Sequence, residues 1–464
     1  MQDRCTPRPK THCLVLTSFY HFLLPTAISM TTTMTQKYFL IFFLGILFYT
    51  NTHAQQELGT HFLTETWQST VTNPAFVPEK KWTVALPSVH YNFQHQAGGF
   101  GDILRTSNGQ SVIDFGNFIT QLESENSLHT QVDIPSLELA YKMGNLRLSI
   151  GHQTRLNAQF DYPKTFAELI WNGNAPFIGE TVEFGPQLNL FSYSEIGLGA
   201  AYQLSKLTIG AKVKYLSGIG AIATNAHQAS LYTSDDIYQL TFATDYEIQT
   251  SSFLEINDLQ DFNFNVNQDL GQLFSSNTGF ALDLGIRYQV NDKLQLNASI
   301  IDLGSINWQD GISYHSQGTE TYEGIDLTDF ILNDSIEFDI KLDTLQDAFQ
   351  FAETSRSFST NLNNKIYLGG NYQLNERFEL GLVYLIQQQT GDTQHAFALS
   401  ARAQLLKILT LGATYSTRYE QFDNLGVNLV ARLGPVQVFG LTDNVFGLLD
   451  GTDINGRVGL NLVF

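Results

Sequence analysis

Alternation with a period of two residues, recurring in pairs joined by tight turns, constrains this chain more than any other feature. In ALDLGIRYQV, Leu282, Leu284, Ile286, Tyr288 and Val290 take one face. Asp283, Gly285, Arg287 and Gln289 take the other, because successive strand side chains point to opposite sides. After Asn291-Asp292 the pattern resumes in KLQLNASI, with Leu294, Leu296, Ala298 and Ile300 opposite Gln295, Asn297 and Ser299. Two such runs across a short turn predict a hairpin. The unit returns as SLELAYKM with LRLSIGHQ, GLGAAYQL with KLTIGAKVKY, KIYLGGNYQL with RFELGLVYLI, AFALSARAQL with ILTLGATYS, and LGVNLVARL with VQVFGL.

The two faces decide what such hairpins can build. A soluble sandwich needs one apolar face and one charge-rich face. Here one face is almost entirely Leu, Ile, Val, Tyr, Phe and Ala. The other is Gly, Asn, Gln and Ser with isolated charges: Glu138, Lys142, Arg147, Lys212, Lys214, Asp283, Arg287, Glu379, Arg402, Arg432 and Arg457. Strands of about nine to eleven residues, apolar outward and polar inward, are what a membrane-spanning barrel requires. Only a closed barrel lets strands cross lipid, since every N–H and C=O must be paired there. The expected fold is therefore all-β, a transmembrane antiparallel barrel of about 14 strands, within a range of roughly 14 to 16 of even parity. The eleven charges are its candidate lumen-facing residues.

Composition excludes other classes. Only 15% of residues are charged, 12% are aromatic, and the net charge of −20 sets the chain against a nucleic-acid partner. No apolar run after residue 55 reaches the length of a spanning helix. Before it, Lys37 and the run YFLIFFLGILFY lead to TNTHA, the pattern of a signal peptide over residues 34–54 with cleavage near Ala54. A short membrane anchor is the alternative. Residues 1–33, with LVLTSFYHFLL and both cysteines (Cys5 and Cys13), are expected to be an extension upstream of the start in use, Met34 or Met30. The mature chain would then have no cysteine, and so no disulfide framework or thiol nucleophile.

Residues 55–80 form a short segment ahead of strand one, and 81–464 the barrel. Tight turns alternate with long insertions at 97–133, 161–180, 225–277 and 308–363, the arrangement of short periplasmic turns and long outer loops. IYQLTFATDYEI within the third insertion has strand character of its own. Tyr141, Tyr202, Tyr215, Tyr288, Tyr372 and Tyr384 fall near strand ends, where a membrane interface holds amphipathic rings. The chain ends on GRVGLNLVF, whose Val458, Leu460, Leu462 and Phe464 share one face while Arg457 and Asn461 share the other. An apolar strand to the last residue predicts that lipid covers it and that strand one pairs with it.

Three motifs carry a resemblance: VTNPAFVP (Val71–Pro78) ahead of strand one, IDLGSINW (Ile301–Trp308) in a central hairpin, and the terminal Phe464. From Asn73 to Phe464 the chain resembles FadL-type outer-membrane transporters and the PorV and PorP/SprF-like barrels of the Bacteroidota. It looks most like an uncharacterised Bacteroidota barrel family, a domain of unknown function. The resemblance implies a fourteen-stranded barrel surrounded by outer-membrane lipid. It also implies assembly by the barrel-insertion machinery, which reads a last strand ending in an aromatic, here Leu460, Leu462 and Phe464. FadL-type proteins plug the lumen with an N-terminal hatch, and residues 55–80 are short for one.

Catalytic signatures are missing from the sequence. Eight histidines follow residue 55 without clustering, and His90 and His95 fall on opposite strand faces. DGTDINGR (Asp450–Arg457) resembles a calcium loop in Asp450, Asp453, Asn455 and Gly456 but lacks the bidentate Glu, and a hairpin turn accounts for it. There is no phosphate-binding glycine loop and no nucleophile elbow. The expectation is a non-enzyme without cofactor: a channel or transporter for small or amphipathic molecules. The alternatives are an interaction or anchor barrel of a type IX secretion or surface-assembly apparatus, and a secreted soluble β-rich binding protein.

Overall fold

The computed structural model describes residues 58–95, 104–107, 110–113, 115–236, 239–252, 254–258, 261–264, 274–322, 351–389, 392–418, 421–450 and 453–464. The expectations for 1–33, the signal peptide and its cleavage point lie outside them.

The wall is a closed antiparallel barrel of 14 strands. β1 comprises Trp82–Ala85 and Val89–His95, broken around Pro87, which cannot donate to a ladder. β2 (Glu125–Met143), β3 (Leu146–Pro163), β4 (Gln187–Leu204) and β5 (Leu207–Thr233) follow. β6 joins Leu240–Ser251 to Thr278–Gln289; β7 joins Leu294–Trp308 to Ile312–Tyr322. β8 comprises Ala352–Ser355, Phe358–Asn361 and Lys365–Gln373. The wall continues with β9 (Phe378–Gln389), β10 (Asp392–Leu406), β11 (Leu409–Arg418), β12 (Gln421–Leu433), β13 (Val436–Thr442) and β14 (Asp453–Val463). Each strand pairs with the next, and β14 returns to β1 with Val84 opposite Leu462 and Val89 opposite Val458. Trp82 and Phe464 exchange backbone hydrogen bonds of 3.2 and 3.0 Å, so the seam is tied to the last residue.

Turn chemistry places one end of the barrel. Gly144 and Gly434 stand at φ 61° and 62° in two of the tight turns, the left-handed region that a side chain disfavours. Asn291 and Asn375 serve two others alike, each carboxamide oxygen accepting from the second and third following amides at 2.9 to 3.1 Å. The outward face is apolar: Leu148, Leu198, Val213, Leu284, Leu382, Leu411, Val427 and Val458 are all exposed. Trp82, Tyr202, Tyr288, Tyr372 and Phe378 are exposed beside the short turns. Such a continuous apolar belt in water would be an aggregation surface, which sets aside the soluble binding protein.

Strand lengths depart from expectation. β5 runs 27 residues, roughly 90 Å of chain at ~3.3 Å per residue, far more than a bilayer requires. The insertions at 225–277 and 308–363 are therefore not loops throughout. Their segments 240–251, 312–322 and 352–361 continue the wall upward from β5 to β8 as a tall rim. The alternation there had the same period as the wall but was interrupted, by the excursion 252–277 and by residues beyond Tyr322. The ends of 97–133 and 161–180 are likewise strand, and 161–180 also carries a helix, α3, given below with its fellows.

Among the described residues four short helices accompany this wall: α1 (Leu58–Phe62), α2 (Phe115–Gln121), α3 (Lys164–Asn172) and α4 (Val445–Asp450). Of these four, α1 is buried in the lumen and belongs to the site.

Candidate functional site

Residues 58–78 occupy the lumen. Leu58, Phe62, Leu63, Ala75 and Phe76 are buried, as are Thr60, His61, Gln68 and Asn73. The segment is thus a plug, correcting the expectation that it is too short for one. It is made of a helix, a 3-10 turn (Trp67–Val71) and an extended run.

Apolar anchors come first. Leu58 and Phe62 join Ile301, Tyr367, Val383, Leu385, Ala396 and Ala398 in one buried cluster. The His61 ring stacks on Tyr367 at 5.2 Å, and Leu63 packs with Val430, Phe439 and Leu441. Glycines of the inner face make the room. A Cβ at Gly381 would meet Phe62, one at Gly210 the backbone of Pro74, and one at Gly285 the Asn73 side chain. These three glycines are part of the footprint of the plug, whereas Gly151, Gly197 and Gly412 make room for the wall's own Glu138, Lys212 and Asn428.

Polar contacts set its register. Gln68 Nε2 donates to Asn461 Oδ1 (2.9 Å), and Asn461 Nδ2 donates back to Gln68 Oε1 (2.8 Å). Trp67 Nε1 donates to Glu138 Oε2 (2.8 Å), and the Gly59 amide to Asp443 Oδ1 (2.8 Å). Asn73 donates to the carbonyls of Ile286 and Ala298 (3.2 Å each) while its own oxygen accepts from the Ala75 amide (2.9 Å). That is the structural role of the Asn-Pro-Ala segment: an Asx turn docked on β6 and β7. His61 Nε2 lies 2.9 Å from Asn297 Oδ1 and Nδ1 lies 3.1 Å from Thr72 Oγ1. Burial of this imidazole, partly offset by the Asn297 bond, lowers its pKa to about 4.

Wall charges meet in two groups. Arg402 of β10 donates to the Phe62 carbonyl (2.6 Å), pairs with Glu65, and stands 3.4 Å from Glu379. Arg147 of β3 donates to the carbonyls of Pro78 and Lys80. These clamp the two ends of the plug. The second group is a buried ionic layer. Arg155 of β3 reaches Asp133 of β2 (3.0 Å) and, across the lumen, Asp302 of β7 (2.9 Å). Lys214 bridges Asp302 (2.5 Å) and Asp283 (2.7 Å), Lys212 holds Glu195 (3.0 Å), and Arg457 stands 3.6 Å from Asp133. Each of these buried charges thus has an opposite charge beside it, with Glu138 at the edge 3.8 Å from Lys212. Asp302 enters the layer from a bulge at φ 62°, its amide bonded to Asp283 Oδ1 (2.8 Å). Beside the layer lies an apolar cluster of Phe191, Tyr193, Leu216, Ile306, Trp308 and Leu362.

The structure thus brings Glu138, Lys212, Lys214, Asp283 and Arg457 into the ionic layer or its edge. It puts Arg147, Arg402 and Glu379 on the plug, and Arg287 and Arg432 beside a cavity of about 410 Å³ at the short-turn end. Lys142 is half-buried near that end. Arg155, Asp133, Glu195 and Asp302 were missed, since they lie where strands outrun the expected hairpins. Phe464 is exposed on the outer face, with Leu460 and Leu462 half-buried. His90 faces inward to Asp133 (3.2 Å). His95 faces away, its Nε2 2.8 Å from Tyr162 Oη. Asp453 opens β14 and accepts from Asn444 (2.7 Å). Among the described residues no cluster of His, Cys, Asp and Glu has the spacing of a metal site.

The fold, with a segment docked in its lumen, defines a closed 14-stranded transmembrane β-barrel. The chain belongs to a family of unknown function (DUF5723), whose model matches residues 74–443. No curated protein matches it. Among solved structures it is similar to a TodX deltaS2S3 mutant monoaromatic hydrocarbon channel. The identity is 12% and the TM-score 0.42, over 86% of this chain and 95% of that one. The Pseudomonas putida toluene transporter TodX aligns at 10% identity and a TM-score of 0.39, over 86% and 94%. A Pseudomonas aeruginosa FadL homologue aligns at 10% and 0.31, over 85% and 92%.

Proposed function

We propose that the protein is an outer-membrane channel for small or amphipathic molecules, with the N-terminal segment as its movable closure. One observation carries this: residues 58–78 are buried in the lumen and held there by hydrogen bonds, ion pairs and packing. Such contacts are individually worth about 1 kcal/mol net, so the docked segment can be displaced without unfolding the wall. Phe464 and its strand serve as the signal for barrel insertion, with periplasm at the short-turn end.

The test is conductance of the full chain in planar bilayers. Gly210→Val with Gly285→Leu removes the cradle of Asn73 and Pro74 and should convert a closed or flickering protein into a conducting one. A folded, inserted variant that conducts no more than wild type would overturn the reading.

The tall rim from β5 to β8 favours a second reading, a barrel that anchors secretion or surface-assembly proteins. Cross-linking on intact outer membranes tests it, and recovery of the insertion machinery alone counts against it.

A further inference from the structure

The lumen has two unlike sides. From β2 to β7 it is charged, its carboxylates ion-paired as described, with scattered unsatisfied atoms such as Gln131 Oε1 and Asn297 Nδ2. On β10, β11 and β12 the inner face instead presents Ser400, Thr414, Ser416, Asn424 and Asn428. They are neighbours by register: Ser400 is opposite Thr414, Ser416 opposite Asn424, and Gly412 opposite Asn428. All five are at least 96% buried. Yet Ser400 Oγ, Thr414 Oγ1, Ser416 Oγ, Asn424 Nδ2 and both polar atoms of the Asn428 carboxamide have no hydrogen-bond partner in the protein. The outward neighbours Leu399, Leu411, Tyr415, Leu425, Val427 and Leu429 are exposed apolar residues, so the five belong to the lumen and not to the lipid face.

Buried polar atoms are almost always satisfied. Leaving one bare costs about 1–3 kcal/mol, and six bare atoms on one patch would be a large fraction of a protein's net stability. None of these atoms is reached by water while α1 of the plug lies against β10 and β12. Groups this close, offering both donors and acceptors, therefore take partners from water or a hydrogen-bonding solute once the plug leaves. The patch carries no charge of its own. Its lower end meets Arg402, whose guanidinium is occupied by Phe62 and Glu65 of the plug. Its upper end meets Asn444, which donates to Asn424 Oδ1 (3.0 Å) and Asp453.

We infer that this seam is the solute path of the channel, and that it takes small uncharged molecules bearing hydroxyl or amide groups, water being the smallest. The inference rests on the channel reading above and names its substrate class. An apolar solute would leave the seam's donors and acceptors unpaired, and between Arg402 and Asp453 an ion would find no counter-charge on the five residues themselves. A neutral polyol replaces its hydration shell bond for bond. The plug's Phe62–Glu65 turn, clamped by Arg402, governs access from below.

Proteoliposome swelling with glycerol and with sodium glycerate, which differ chiefly in charge, tests it in the full chain carrying Gly210→Val and Gly285→Leu. Glycerol should enter faster than glycerate. Adding Thr414→Val or Ser416→Ala, which remove a hydroxyl at nearly constant volume, should slow glycerol about fivefold for each lost bond while leaving glycerate unchanged. Asn428→Leu should do more, with heat-modifiable migration on a gel confirming a folded barrel. If glycerol and glycerate enter equally, or if the three seam variants leave glycerol entry unchanged, the seam is not the path although the channel reading stands. If neither solute enters the folded, plug-displaced protein, the channel reading and this inference fail together.

Discussion

Gln68 and Asn461 face each other amide to amide, each donating to the other, so a plug side chain is bound edge to edge to the strand that closes the barrel. Asn461 donates in addition to Gln437 Oε1 (3.1 Å). Asn461→Leu keeps the volume and removes these bonds, at a loss of roughly 1–3 kcal/mol of docking energy. The undocked fraction should rise about five- to hundred-fold, read as open probability in bilayers. Unchanged gating in a correctly inserted variant would show that the pair does not hold the plug.

Much of the wall could be read from alternation, because a strand with lipid on one side and a polar lumen on the other imposes its period on every residue. The hairpin of Leu282 and Leu296 was legible down to its Asn291 turn. Of the rim only IYQLTFATDYEI was legible as strand, because β6 is assembled from 240–251 and 278–289, distant in sequence, and pairing across residues 252–277 leaves no local trace. The plug was hidden for a different reason. Gly210, Gly285 and Gly381 signalled that something comes close to the inner face, but glycine does not say what. Asn73-Pro74-Ala75 was the visible half of that contact, and its partners could be found only by closing the barrel.

Arg155 joins two walls of the lumen through Asp133 and Asp302. Arg155→Met keeps the length and removes the charge, leaving two buried carboxylates short of a partner. Breaking a buried pair in this way costs about 3–5 kcal/mol. The expected result is a lower temperature for the gel shift from folded to unfolded barrel, partly rescued by adding Asp302→Asn. A variant as heat-resistant as wild type would mean that the layer is wet and weak.

His61 sits in the plug, outside the wall strands, with Thr72 and Asn297 at its nitrogens and Tyr367, Phe62 and Phe76 around its ring. Burial lowers its pKa from 6.5 to about 4 in the docked state. An undocked, hydrated His61 takes up a proton near pH 6.5, whereas the docked one resists until about pH 4. Docking is therefore fully favoured above pH 6.5 and weakens as pH falls through that window, by about tenfold per unit. Open probability should climb on acidification, and His61→Gln should flatten the part of that slope due to the imidazole. Identical pH profiles for the two proteins would rule out His61 as the sensitive group.

Phe464 ends β14 on the outer face, exposed, with its backbone paired to Trp82. Removing it deletes both backbone bonds at the seam and an aromatic at the short-turn rim, where rings favour the interface. Neither loss touches the plug or the ionic layer. Deletion of Phe464 should thus lower the amount of folded barrel in the outer membrane severalfold, while the molecules that do insert keep wild-type conductance and His61-dependent pH response. Normal insertion of the truncated chain would show that the final strand is recognised through Leu460 and Leu462 without the terminal ring. Altered gating at normal levels would instead couple the seam to the plug through Asn461, two pairs up the same ladder from Val463.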